Sequence, residues 1–306
     1  MVYDSVIIGA GPAGLSAAIY GARYLLKQLV IGEMIGGMIT SSHLVDNYPA
    51  IPGVAGWELG QKFEQHARDL GVEIVFGRAS ALTLLPDGLW QVEVGRDVYQ
   101  SKTVILANGL VWRKLGVPGE EKLIGKGVSY CATCDGAFYR DQLVGVVGGS
   151  DAACESALYL ADLAEQVYII YRKAVLRAEP IVVRAVLKNP KIQVVYDTII
   201  SKINGSDQLE SVALEKIDGS TKDLGLDGLF IEIGAQPGID FAQDLEIETD
   251  EQGYIAVDSQ QRTSLPGLYA AGDLTTNSGK FQQVVTAASE GAVAMMTLYR
   301  DLMTKA

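Results

Sequence analysis

Two stretches of this chain, 139 residues apart, follow one pattern, and that pattern leaves little freedom in how they fold. Residues 5–11 read Ser-Val-Ile-Ile-Gly-Ala-Gly, an apolar strand running into glycines, and Leu15 to Leu26 continues as an alanine-rich helix. Leu143 to Ser150, followed by Ala152 to Ala164, repeats it. With Gly9 set against Gly148, the same offset pairs Ile8 with Val147, Ala13 with Ala152, Ala18 with Ala157 and Tyr20 with Tyr159. It also pairs the next strands, Leu29-Val30-Ile31 and Tyr168-Ile169-Ile170. Strand, glycine turn, helix and second apolar strand make the βαβ unit of a parallel sheet. The length of 306 residues suits two domains, each with its own core. The fold class is therefore α/β, with two Rossmann-like dinucleotide-binding domains.

The two turns differ in quality. Gly9-Ala10-Gly11-Pro12-Ala13-Gly14 is a complete GxGxxG between strand and helix, with Glu33 nineteen residues after Gly14. Glycines there allow the tight turn and let the backbone approach a pyrophosphate, and the acid accepts hydrogen bonds from ribose hydroxyls. The second copy, Gly148-Gly149-Ser150-Asp151-Ala152-Ala153, has Ser150 in the middle position and adds the charge of Asp151 beside the expected phosphates. The offset sets Arg172 opposite Glu33, and arginine suits a 2′-phosphate. Residues 172–191 hold six basic side chains, with Arg172, Lys173 and Arg177 nearest the strand end, against one acid. The first site is thus expected to take FAD. The second takes an NADP-type anion if anything, and weakly.

Near the C-terminus, Leu268 to Asp273 forms another apolar strand ending in Gly272-Asp273, followed by Gln282-Gln283 and a small-residue helix from Val284 to Leu298. An aspartate at a strand end beside the first site suits the ribityl chain of a flavin. The flavin domain is then split, 1–115 plus 245–306, with residues 116–244 inserted and Gly116-Val117-Pro118-Gly119 as connector.

Between the repeats stand Cys131-Ala132-Thr133-Cys134-Asp135. Two thiols at this spacing can close and open a disulfide with little backbone movement, and a neighbouring carboxyl can move the proton. A start to a helix after Cys131 would favour its thiolate. Zinc needs four ligands, and His43 and His66 are the only histidines, so no metal site is expected. Cys154 lies among alanines and reads as a packed residue. A net charge of −12 argues against nucleic acid and anionic membranes, and the chain reads as cytoplasmic, without a membrane span.

These elements together resemble the low-molecular-weight thioredoxin reductases: Cys-Ala-Thr-Cys-Asp-Gly with Phe138-Tyr139-Arg140, the Gly9–Gly14 turn, Asn47-Tyr48-Pro49, Asp227-Gly228-Leu229-Phe230 and Ala271-Gly272-Asp273. The resemblance implies a homodimer, FAD in the split domain and a thioredoxin-like protein as partner. It also implies that Cys134 faces the flavin, Cys131 attacks the partner disulfide and Asp135 donates the proton. Several positions depart from the family pattern. Gly37-Met38 stands where Gly-Gly-Gln is expected, Asn108-Gly109 where Thr-Gly is, Gln282-Gln283 where Arg-Gln is, and Tyr171-Arg172-Lys173 where His-Arg-Arg is. With Ser150 these cluster on the cofactor sites, as in pyridine-nucleotide-independent offshoots such as the cyanobacterial diflavin-linked disulfide oxidoreductases. The expectation is one FAD, with a second possible, and NADPH poorly used. An ordinary NADPH-dependent reductase is the alternative. A ferredoxin–NADP reductase of the same fold lacks the cysteine pair, and a nucleotide sensor has no need of Asp135.

Overall fold

The computed structural model describes residues 1–306 except 43, 44, 46 and 306, so His43 lies outside the described residues. The chain opens with β1 (Val2–Ile8), α1 (Pro12–Arg23) and β2 (Gln28–Gly32). Then come α2 (Gly56–Asp69), β3 (Glu73–Phe76), β4 (Ala79–Leu84), β5 (Trp90–Val94) and β6 (Asp97–Leu106). Their sheet runs β3-β2-β1-β6-β5-β4, parallel from β3 to β6 and antiparallel through β5 and β4. Val6, Ile7, Val30, Val104 and Ile105 are fully buried, because a parallel sheet covered on both faces selects continuous apolar runs. Pro12 opens α1, where its fixed φ suits the helix and its missing N–H is no loss.

Next follow β7 (Leu110–Trp112), α3 (Glu120–Leu123), β8 (Val128–Ser129), α4 (Ala132–Asp135), β9 (Leu143–Val147), α5 (Asp151–Ala161) and β10 (Gln166–Ile170). After these are α6 (Pro180–Lys188), β11 (Ile192–Val195), β12 (Thr198–Asn204), β13 (Ser211–Lys216), β14 (Thr221–Gly225), β15 (Gly228–Ile231) and β16 (Ala235–Pro237). The parallel sheet here is β11-β10-β9-β15-β8, with β12-β13-β14 as a separate antiparallel meander. The repeat survives into the hydrogen-bond register. Ile8 lies opposite Ile31 and Val147 opposite Ile170, the same pairing displaced by the sequence offset.

The chain closes with β17 (Leu268–Ala270), paired to β6, and α7 (Val284–Lys305). Helices α1 and α7 share one core with Leu15, Ala18, Ile19, Ala294, Met295 and Leu298. They meet so closely that a Cβ on Gly291 would lie 1.9 Å from the Ala13 carbonyl oxygen.

Two compact units result, Met1–Val111 with Gln236–Ala306, and Trp112–Ala235. The breaks fall at 111/112 and 235/236, a few residues before the expected junctions at 115/116 and 244/245. The physical reason is packing. Arg113 N–H donates to Gly234 O at 3.0 Å and Leu115 N–H to Glu120 Oε1 at 2.8 Å, so residues 112–115 are held by the second unit. Ala242 is buried with Leu82 and Val92 of the first. Among the described residues no helix is long and apolar enough to cross a membrane.

Candidate active site

The glycines of the first turn have separate duties. A Cβ on Gly9 (φ +118°) would lie 2.2 Å from Ala107 O, and one on Gly14 would lie 1.9 Å from Gly9 O. Both glycines are demanded by the fold itself. A Cβ on Gly11 would meet only Gly37 Cα, at 3.6 Å. The protein leaves that space open at the start of α1, where no side chain caps the helix and no acid stands in the first turn. Such a helix start suits an anion.

Around this turn the first unit gathers most of the expected residues. Gly37 (φ +67°) faces Gly11, and Gly272 abuts Ala13. Pro12 and Gly109 flank the same segments, with Met38 half-buried just beyond Gly37. Asn108 donates to Gly238 O at 2.6 Å, while its own Oδ1 is buried without a partner. The Asp273 carboxyl has no hydrogen-bond partner among the described residues, and burial, helped by Glu290, pushes it up to about 6. Glu33, at the end of β2, is exposed, with Arg78 no closer than 3.9 Å. Asn47 and Gln283 bond to each other at 2.8 Å, and Gln282 donates to Tyr254 Oη. An open glycine cradle, an orphan acceptor and an unpartnered carboxyl fit a flavin dinucleotide.

Sequence reasoning missed Glu290. Its buried carboxylate accepts from Gly272 N at 2.8 Å, Thr275 Oγ at 3.2 Å and Ser278 Oγ at 2.6 Å, and so shapes the Asp273 loop. Its signal was an isolated acid in an otherwise small and apolar helix segment.

In the second unit Cys131 and Cys134 are joined as a disulfide, with Cα atoms 5.3 Å apart. Cys131 caps the short α4, and its Sγ accepts the Cys134 N–H at 3.1 Å, a contact that favours charge on that sulfur. Ser129 Oγ accepts the Cys131 N–H at 3.0 Å. Tyr130 donates at 2.6 Å to the buried Glu120, which also holds Leu115 N and Gly116 N. Gly136 seats the segment on α5, since a Cβ there would collide with Leu160 and Tyr159. Cys134 is exposed, Cys131 and Asp135 half-buried. Cys154 is fully buried, and burial pushes its thiol up to about 11.

The second turn differs from its expected character. Ser150 has φ −91° and ψ −177°, against −85° and −174° at Gly11, so the serine leaves the backbone of the turn unchanged. Asp151 Oδ1 accepts the Glu179 N–H at 2.7 Å and is thereby committed to the start of α6. A Cβ on Gly149 would strike the buried Tyr171 ring, whose hydroxyl accepts from Arg177 Nε at 3.0 Å. Arg177 is thus engaged, while Arg172 and Lys173 are exposed and form no side-chain bond with described residues. A Cβ on Gly148 would lie 2.3 Å from Glu232 O.

The profile of the pyridine nucleotide-disulphide oxidoreductase family matches residues 3–291. A thioredoxin reductase of Treponema pallidum (strain Nichols) is 40% identical over 296 residues, covering 95% of this chain and 94% of that protein. One from Peptoclostridium acidaminophilum is 41% identical over 303 residues, covering 96% and 95%. The crystal structure of Lactococcus lactis thioredoxin reductase in its FR conformation is similar at 37% identity and a TM-score of 0.90, covering 99% of both chains.

Proposed function

The chain belongs to the pyridine nucleotide-disulphide oxidoreductase family, as a relative of the thioredoxin reductases, and on that basis we propose how it works. It is an FAD-dependent disulfide oxidoreductase, and its proposed partner is a thioredoxin-like protein. The observation that carries the reading is the Cys131–Cys134 disulfide beside Asp135. Gly9, Gly11, Gly14, Gly37, Asn108 and Asp273 would hold the flavin, which supplies two electrons to the disulfide when bound.

The chain's own residues do the remaining chemistry. In the reduced pair, the Cys131 thiolate attacks the partner disulfide, forming a mixed disulfide and expelling one partner thiolate. Cys134 then attacks Cys131 Sγ, which restores the intramolecular disulfide and releases the partner as a dithiol. Two electrons and two protons pass to the partner. Asp135 carries a proton to or from the thiolates.

With Cys134→Ser, the remaining Cys131 should trap a thioredoxin as a one-to-one adduct that dithiothreitol releases. An adduct formed only by Cys131→Ser would reverse the two roles.

For the donor, the reading favoured is NADPH at the second turn. Ser150 keeps the backbone of that turn, Asp151 is committed to Glu179, and Arg172 and Lys173 are open to a 2′-phosphate. The second reading, that NADPH is poorly used and a second FAD or another donor serves, draws on the side chain at Ser150 and on Met38, Asn108 and Gln282 at the flavin. Anaerobic NADPH titration decides between them. Stoichiometric bleaching with one FAD per chain supports the first. Absent bleaching, or more than one FAD per chain, supports the second. Sedimentation would test the homodimer, and fractionation the cytoplasmic location.

A further inference from the structure

In the second unit the strand order reverses beside β9, with β10 on one side and β15 on the other. Such a reversal opens, at the carboxyl ends of the strands, the crevice in which an α/β sheet receives its ligand. Glu232, the residue after β15, forms part of that wall. Its N–H donates to Val147 O at 2.8 Å, and its carbonyl oxygen sits against the Gly148 turn. Its side chain is buried, with the residue 7% exposed, and accepts one hydrogen bond, from Ser156 Oγ of α5 at 2.9 Å. No basic side chain among the described residues pairs with it. The fold does not need an acid here, because a glutamine would accept the same bond from Ser156. A buried, unpaired carboxyl is costly in its charged form.

We propose that Glu232 determines how the crevice receives a pyridine dinucleotide: as a neutral acid it donates a hydrogen bond to the ligand, and as a carboxylate it repels the ligand's phosphates. The proposal rests on the reading of the second unit as a dinucleotide site. Burial pushes this carboxyl up to about 7, with Ser156 opposing, so both forms occur near neutrality. The neighbouring strands β9 and β15 carry no charge at all. The titratable groups on adjoining segments are Asp151, Cys154, Glu155 and Tyr159 of α5, Tyr171 after β10 and Arg113. Asp151 is held by Glu179 N–H, Tyr171 by Arg177, and Arg113 donates to Ala235 O. None of them neutralises Glu232.

A bound polyanion raises this carboxyl further. Binding should therefore take up a proton above pH 7, and affinity should fall as pH rises through 7. The ligand's own 2′-phosphate titrates near 6 and pulls the other way. Glu232→Gln binds the same ligand, so the ratio of the two proteins isolates Glu232.

The test is calorimetric titration of the FAD-loaded enzyme with NADP⁺ between pH 6.5 and 8.5, in buffers of different ionisation enthalpy. Wild-type affinity, relative to Glu232→Gln, should fall about tenfold across the range, with proton uptake that the variant lacks. Ser156→Ala removes a bond that favours the ionised form, so its break should move to higher pH. NADP⁺ binding with a flat ratio and no proton uptake overturns the role of Glu232 alone. Failure of both proteins to bind NADP⁺ overturns the dinucleotide site and the inference with it.

Discussion

Gly9, Gly11 and Gly14 occupy one motif yet should respond differently to mutation. A Cβ at Gly9 or Gly14 collides with backbone atoms, whereas one at Gly11 makes only an ordinary contact with Gly37 Cα at 3.6 Å. Gly11→Val should fold with an ordinary circular dichroism spectrum and emerge without flavin. Full flavin content in that variant would remove the first turn from the cofactor site. Asp273 presents the opposite bargain between stability and function. Its carboxyl is raised from 3.8 to about 6, so its contribution to apoprotein stability is complete below 3.8 and lost as pH rises through 6. Asp273→Asn should raise the melting temperature of the apoprotein at pH 7.5, flatten its dependence between pH 4 and 6, and weaken FAD retention. An unchanged pH profile would exclude Asp273 as its source. Asp135→Asn should keep the flavin spectrum and slow electron transfer to the disulfide at least ~10-fold, the lower side of general acid–base effects. Rapid kinetics identical to wild type would release Asp135 from the mechanism.

At the scale of elements, α7 does more than close the core. Through Glu290 it binds the loop that carries Asp273, and through Gly291 it sits directly on α1. Glu290→Ala would leave the Gly272 N–H and two hydroxyls without this acceptor. Thr275 can still turn to Gly272 O, so two groups lose their acceptor and the loss should be about 2–6 kcal/mol in urea unfolding, at about 1–3 kcal/mol for each. A loss below about 0.5 kcal/mol would show that water replaces the carboxylate there. The βαβ units were legible because their signal lies in consecutive residues, an apolar run, glycines and a helix. The four-residue α4 was legible only as a helix or turn, since one turn of helix carries no periodicity. Glu120 was not legible, because its meaning lies in Tyr130, ten residues away on another segment.

For the molecule as a whole, the three cysteines report on different levels of order. Cys131 and Cys134 lie at the surface of the second unit, and Cys154 is sealed in its core with a thiol raised to about 11. Reduced native enzyme should therefore react rapidly at two thiols per chain, and at the third only when the second unit opens. Native and denatured thiol counts that agree would contradict the burial of Cys154.

What the sequence alone determined is everything written in local order. That covers the α/β class, the twofold repeat, the positions of both glycine turns and the cysteine pair with its acid. Each depends on a few neighbouring residues whose geometry follows from strand, turn and helix preferences. Only the tertiary structure decided which distant groups meet. Ser156 reaches Glu232 across 76 positions, and Asn108 reaches Gly238 across 130. It also decided that Ser150 leaves its turn undistorted, that Asp151 is spent on Glu179, and that the second unit begins at Trp112 and ends at Ala235. Hydrogen bonds and burial are set by the packing of whole elements, and residue order along the chain does not encode which acid is left without a cation.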